Sequence, residues 1–137
     1  MGPRLVSWFN KKQRSIALSI AEAEYVATAS CCTQLLWMMQ TLQDIQIKFS
    51  PPISIMCDNT SAISISKNPV MHSKTKHIPI KYHFLHEQLL EQTVKLEYVP
   101  SKEQVANIFT KPLPREAFEY LRQKLGVVSI FQKIKST

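Results

Sequence analysis

Eight prolines decide where regular structure can run in this chain. Proline locks φ and lacks a backbone donor, so it sits at element ends rather than in helix or strand interiors. Pro51-Pro52 closes the longest helical pattern, Pro69 closes a short one, and Pro79 suits the first turn of another. Pro100 ends an alternating run and Pro114 opens a last helix. The segments between them are short, with no internal repeat, linker or low-complexity tract. The pattern predicts one domain over residues 1–137, with its core at about 5–126 and a tail over 127–137.

Leu5 to Phe9 reads as a strand, followed by the basic turn Asn10-Lys11-Lys12-Gln13-Arg14. A helix is predicted from about 20 to 46. Ile53 to Cys57 alternates and is rich in β-formers, predicting a strand. Asp58 is then placed to cap a short helix. Lys67 to His77 is basic and irregular, and Ile78, Tyr82, Leu85 and Leu89 form the stripe of the next helix. Val94 to Val99 reads as a second alternating strand. Ser101-Lys102-Glu103-Gln104 resembles a capping box for a helix to about Phe109, and the helix from Pro114 should end before Gly126.

A hydrophobic fraction of 45% with only 2 Gly argues for a packed globule. A chain this long buries roughly two-thirds of its unfolded surface. The formal charge of +7 favours polyanionic partners through phosphate contacts, though a solvated basic surface would look the same. Cys31, Cys32 and Cys57 make neither a disulfide framework nor a zinc pattern, which predicts a reducing compartment. Cys31 and Cys32 should face different sides of their helix. No apolar run suggests a signal peptide or membrane span. Met1-Gly2 formally opens like a myristoylation site, but the residues after it do not support one.

On a helical wheel, Ala27, Cys31, Leu35, Met38, Met39 and Leu42 form an apolar face. Glu24 falls within that face, where an acid is costly unless paired or bound to a cation. Glu22 points away and reads as surface. Asp58 follows a hydrophobic strand, where open α/β sheets present ligand-binding groups, although taken alone an N-cap role explains it better. His83 and His86 share a helix face, but with His72 and His77 they fit no common zinc spacing. Trp8 and Trp37 are assigned to packing.

Three segments, ALSIAEAEYVA, MCDNTSAISISKNPVMHSKTKHIPIKYHFLHEQ and LEYVPSKEQVANIFTKPLP, resemble the RNase H domain of copia-type retrotransposon Pol polyproteins from about Val6 to Gly126. The resemblance implies an α/β fold, an RNase H-like mixed sheet flanked by helices. It implies an active site whose acids hold two Mg²⁺ ions and cut RNA in an RNA–DNA hybrid. Two cations at close range need anionic oxygen ligands to offset their repulsion, activate water and stabilise the leaving oxygen. Carried over by motif, the helix acid is Glu24 and the strand-end acid is Asp58, catalytic and metal-binding alike.

The family's first acid lies upstream of the matched stretch, and its last falls at Asn107, an uncharged amide. Two of four carboxylates remain, so any Mg²⁺ or Mn²⁺ site should be weak. The resemblance implies that the family's first two strands are also absent, and an unpaired strand edge can recruit a second copy or another protein. Lys11, Lys12, Arg14, Lys67, His72, Lys74, Lys76, His77 and Lys81 are the candidate contacts to RNA or an RNA–DNA hybrid. Three functions stay open: an impaired RNase H-like domain that still binds nucleic acid, a domesticated protein-interaction module without nuclease activity, or a ribonuclease completed in trans. The family's setting implies a plant element and cytoplasmic or nuclear residence.

Overall fold

In the computed structural model, residues 7–8, 12–13, 16–68, 78 and 82–127 are described. They belong to two compact units, one over Gln13–Val99 and one joining Met1–Lys12 to Pro100–Thr137.

The larger unit opens with helix α1, Ile20–Asp44. Its start is a reciprocal cap: Ser19 Oγ accepts from Glu22 N at 3.1 Å, while Glu22 Oε2 accepts from Leu18 N at 2.6 Å. Glu22 is thus a half-buried capping residue and not the plain surface residue expected. The helix ends in a Schellman turn. Gln46 takes φ 62°, its N–H reaching Gln43 O and the Ile47 N–H reaching Leu42 O.

Strand β1 is Ile53–Cys57, as its alternation predicted, and strand β2 is Val94–Tyr98. They pair in parallel, Ile53 opposite Val94 through Cys57 opposite Tyr98. Parallel neighbours need a crossover connection. Here it carries helix α2, Thr60–Lys67, and helix α3, Phe84–Leu90.

Ile55, Cys57, Val94 and Leu96 face one core with Tyr25, Val26, Ala29 and Cys32 of α1, Ala62 and Ile65 of α2, Ile78, and Leu85 of α3. Tyr82 and Leu89 pack against it, so the four residues predicted as one helix stripe do meet in the core, but only Leu85 and Leu89 lie on α3, which starts at Phe84. On the opposite sheet face Met56 is exposed, and Ser54 Oγ donates to Glu97 Oε1 at 3.1 Å beside an ion pair of Glu97 with Lys95. Among the described residues the helices therefore cover one face of the sheet, which explains why both strands alternate instead of reading as continuous apolar runs.

The α/β class is as expected. The sheet has two parallel strands among the described residues, fewer than the mixed sheet the resemblance implies. Of the expected opening strand, only Ser7 and Trp8 are described, and they lie in no regular element.

In the second unit a 3₁₀ turn spans Ser101–Glu103, followed by helix α4, Asn107–Thr110, and helix α5, Arg115–Lys124. The capping box expected at Ser101 does not form, because Ser101 is already inside the turn and Pro100 precedes it. Glu103 instead bonds Lys124, and it accepts from Tyr120 Oη at 2.7 Å, tying the turn to α5. These contacts hold the Glu103 carboxyl below its usual range, Lys124 foremost. Pro114 caps α5 from outside, and Gly126 at φ 69° closes its C-terminus.

Candidate functional site

The C-terminal end of β1 is where this fold gathers its candidate chemistry. Thr28 Oγ1, one turn along α1 from Glu24, donates to Glu24 O at 2.7 Å and lies 3.9 Å from Cys57 Sγ. The Cys57 thiol in turn donates to Asn59 O at 3.6 Å. This chain of contacts sets the turn that carries Glu24 against the strand end that carries Asp58.

The N-cap of α2 is Asn59 rather than Asp58. Asn59 Oδ1 accepts from Ala62 N at 3.0 Å, in the extended conformation that caps require. Two adjacent residues both suited to capping cannot both sit at the N-cap. The one that does is set by where the strand releases the chain. Asp58 is half-buried, and among the described residues its carboxylate has no hydrogen-bond or ion-pair partner.

Glu24 is also half-buried, but it lies on the shoulder of the buried face and not in its middle. Tyr25, Ala29, Cys32 and Met39 mark the buried line of α1, while Ala27 and Cys31, assigned to the apolar face from the wheel, are exposed. Cys31 exposed and Cys32 buried do face different sides, as expected. The apolar residues of α1 extend over more than one face, so the wheel alone misplaces the centre by about one residue, or 100°.

Asn107 is buried in the second unit. Its Nδ2 donates to Ser101 O at 2.9 Å and Ser101 Oγ at 3.3 Å, locking the 3₁₀ turn onto α4. Donation to a carbonyl is something an amide can do and a carboxylate cannot.

His83 and His86 serve the core. His83 Nδ1 lies 3.0 Å from Tyr25 Oη, and the phenol donates to Tyr82 O at 3.0 Å, so the ring nitrogen supplies the hydrogen of their contact. His86 Nδ1 donates to Ser66 O at 3.0 Å. Burial pushes the Tyr25 phenol up to about 12. This network was not foreseen from the sequence; its one signal was Tyr25 on the wheel beside Ala29 and Cys32.

Among the described residues, no three His, Cys, Asp or Glu side chains gather into a metal-binding group. Two carboxylates are too few to balance a pair of dications, so the described residues do not fit a two-metal centre. Of the basic residues singled out, Lys12 and Lys67 are exposed. Lys11, Arg14, His72, Lys74, Lys76, His77 and Lys81 lie outside the described residues, as does the expected helix start at Pro79. No helix among the described residues is long and apolar enough to cross a membrane.

The chain is 37% identical over 130 residues to the retrovirus-related Pol polyprotein from transposon RE2 of Arabidopsis thaliana. It is 36% identical over 130 residues to that of transposon RE1 from the same plant, and 34% over 124 residues to that of transposon TNT 1-94 of Nicotiana tabacum. The alignments take in 95%, 95% and 90% of this chain. Its homologues are retrovirus-related Pol polyproteins. The chain spans only 9% of the length of each of these relatives. Any stretch of 130 among 137 residues includes Glu24, Asp58 and Asn107, so the similarity to RE1 and RE2 runs through all three. No protein-family model matches the chain, and no solved structure matches it.

Proposed function

We propose that this chain is a retrotransposon-derived RNase H-like domain, impaired in cleavage, that retains affinity for RNA or an RNA–DNA hybrid. The observation that carries the reading is the placement of Asp58. Its carboxylate stands at the C-terminal end of a parallel strand, relieved of capping by Asn59, next to the turn of α1 that bears Glu24. Parallel α/β sheets bind ligands at that end of their strands. Glu24 and Asp58 together offer a single Mg²⁺ or Mn²⁺ a weak site, while the Asn107 amide is engaged with Ser101. The charge of +7 supports backbone contacts to a polyanion, with Lys12 and Lys67 available at the surface.

The test is cleavage and binding of an RNA–DNA hybrid by the purified chain in Mg²⁺ and in Mn²⁺, beside Glu24→Gln and Asp58→Asn. Binding that weakens steeply with salt, without cleavage, supports the proposal. Cleavage abolished by either substitution would show instead a working nuclease, completed by a second copy or a partner. Absence of binding at low salt would remove the nucleic-acid half of the reading.

A second reading is an interaction module that takes a partner strand along the sheet edge. It is favoured by the two-stranded sheet, in which β1 and β2 pair only with each other among the described residues. Backbone amide exchange in β1 and β2 that slows on dimerisation or partner binding would support it.

A further inference from the structure

The second unit contains a groove that the proposed function does not use. It is a cavity of ≈ 360 Å³ lined by Trp8, Phe109, Phe118, Leu125, Val127 and Arg122, among others. The rings of Trp8 and Phe109 stand nearly parallel, 6° apart with centroids at 6.4 Å, and Trp8 is 67% exposed. The end of α5 builds the far wall. Gly126 N bonds Gln123 O and Val127 N bonds Arg122 O, so the chain folds back and brings Val127 over the last turn of the helix.

One polar atom in this apolar wall has no counterpart. Arg122 Nε is buried and, among the described residues, has no hydrogen-bond partner. Buried donors in folded proteins are satisfied in all but a few cases, and an orphan calls for a specific explanation. On the same helix Arg115 Nε donates to Glu119 at 2.9 Å, and Lys124 bonds Glu103. The guanidinium of Arg122 thus stands as a cation with an unused donor, set in an aromatic-lined groove of the size of small-molecule sites.

The geometry points to a binding site for an aromatic ring bearing a carboxylate, the ring packed against Trp8 and Phe109 and the carboxylate accepting from Arg122. Guanidinium and carboxylate form the strongest ordinary hydrogen bonds of proteins, and the apolar walls exclude water from the pair. The same chemistry is offered by a free aryl acid or by a C-terminal phenylalanine of a polypeptide.

The test follows the Trp8 indole and Arg122 Nε–H resonances of isotopically labelled full chain by NMR. The probes are 3-phenylpropionate, its alcohol analogue 3-phenylpropan-1-ol, and a short peptide ending in phenylalanine with a free or an amidated terminus. Saturable shifts of both resonances with either carboxylate probe are expected, the alcohol or amide binding at least about tenfold more weakly. The free acid alone, or the peptide alone, identifies which source the groove takes. Arg122→Met, which keeps the apolar stem, should remove the preference for the carboxylate. Equal binding of carboxylate and neutral probes, or no saturable shift at millimolar probe, overturns the assignment. The comparison of probes on the unaltered chain does not depend on the variant folding.

Discussion

Tyr25 Oη and His83 Nδ1 meet at 3.0 Å across 58 positions of sequence, joining the first helix to the start of α3 inside the core of the larger unit. Tyr25 is fully buried. Replacing it with phenylalanine keeps the ring but removes the bonds to the Tyr82 carbonyl and to His83 Nδ1. Tyr25→Phe should cost about 1–3 kcal/mol, measured by urea unfolding near neutral pH. The same phenol predicts an alkaline limit. Its folded value is raised from 10.0 to about 12 by burial, so the neutral form is the one the fold favours. Its contribution is complete below pH 10.0 and is lost as pH rises towards about 12, roughly 2–3 kcal/mol in all. Unfolding series at rising pH should show that loss in the natural chain and a smaller one in Tyr25→Phe. The remainder comes from Cys32, raised to about 11 chiefly by burial and then by neighbouring Cys31, with Cys31, raised by burial, and Lys124, raised by its bond to Glu103, acting in the same direction.

The division of labour between Asp58 and Asn59 is separable by mutation. Asn59→Ala removes the acceptor for Ala62 N and should destabilise the larger unit by about 1 kcal/mol. Asp58→Asn should leave stability within about 0.5 kcal/mol, as surface changes outside structural networks do. If Asp58→Asn proves the more damaging in chemical denaturation, the cap belongs to Asp58 after all.

Placing an acid at Asn107 should not be neutral. In Asn107→Asp a carboxylate would face the Ser101 carbonyl that now accepts from Nδ2 at 2.9 Å. Loss of that donor in a buried place should cost about 1–3 kcal/mol at neutral pH. Acidification should recover part of it, because the protonated acid can donate again. Stability of the variant therefore falls as pH rises through its carboxyl titration, opposite in sign to Glu103, whose depressed value makes its link to Lys124 fail as pH falls. Thermal unfolding of natural chain and variant at about pH 4 and about pH 7, on the two sides of carboxyl titration, should show that the two gaps differ.

Among the described residues three helices end in the same left-handed turn, and only one of them has glycine there. Gln46 and Gln92 take φ 62° and 54°, while Gly126 takes φ 69°. A side chain in that region costs roughly 1 kcal/mol. Gln46→Gly and Gln92→Gly should each stabilise the chain by about 0.5–1 kcal/mol, part of the gain being offset by greater freedom of the unfolded chain. Gly126→Ala should destabilise it by about 1 kcal/mol. Denaturant midpoints of the three variants would check all of these together.

Much of the framework was legible along the chain. Ile53–Cys57 has the bounds its alternation predicted, β2 stops one residue before Val99, and α5 runs between Pro114 and Gly126. These features depend on neighbours in sequence: proline geometry, alternation and the left-handed turn of glycine. Glu24 and Asp58 were visible for the same reason, as acids beside apolar patterns.

What tertiary structure decided was which of several locally equivalent choices was used. Asp58 and Asn59 are both good caps, and the exit of the chain from β1 gave the role to Asn59. The apolar residues of α1 spread round the helix, and contact with the sheet chose the line of Tyr25, Ala29 and Cys32 over that of Ala27 and Cys31. Asn107 read as a lost charge, yet its amide found a structural use through a carbonyl six residues away. Local pattern determines which conformations and faces are available; burial and hydrogen-bond satisfaction, which need partners distant in sequence, select among them.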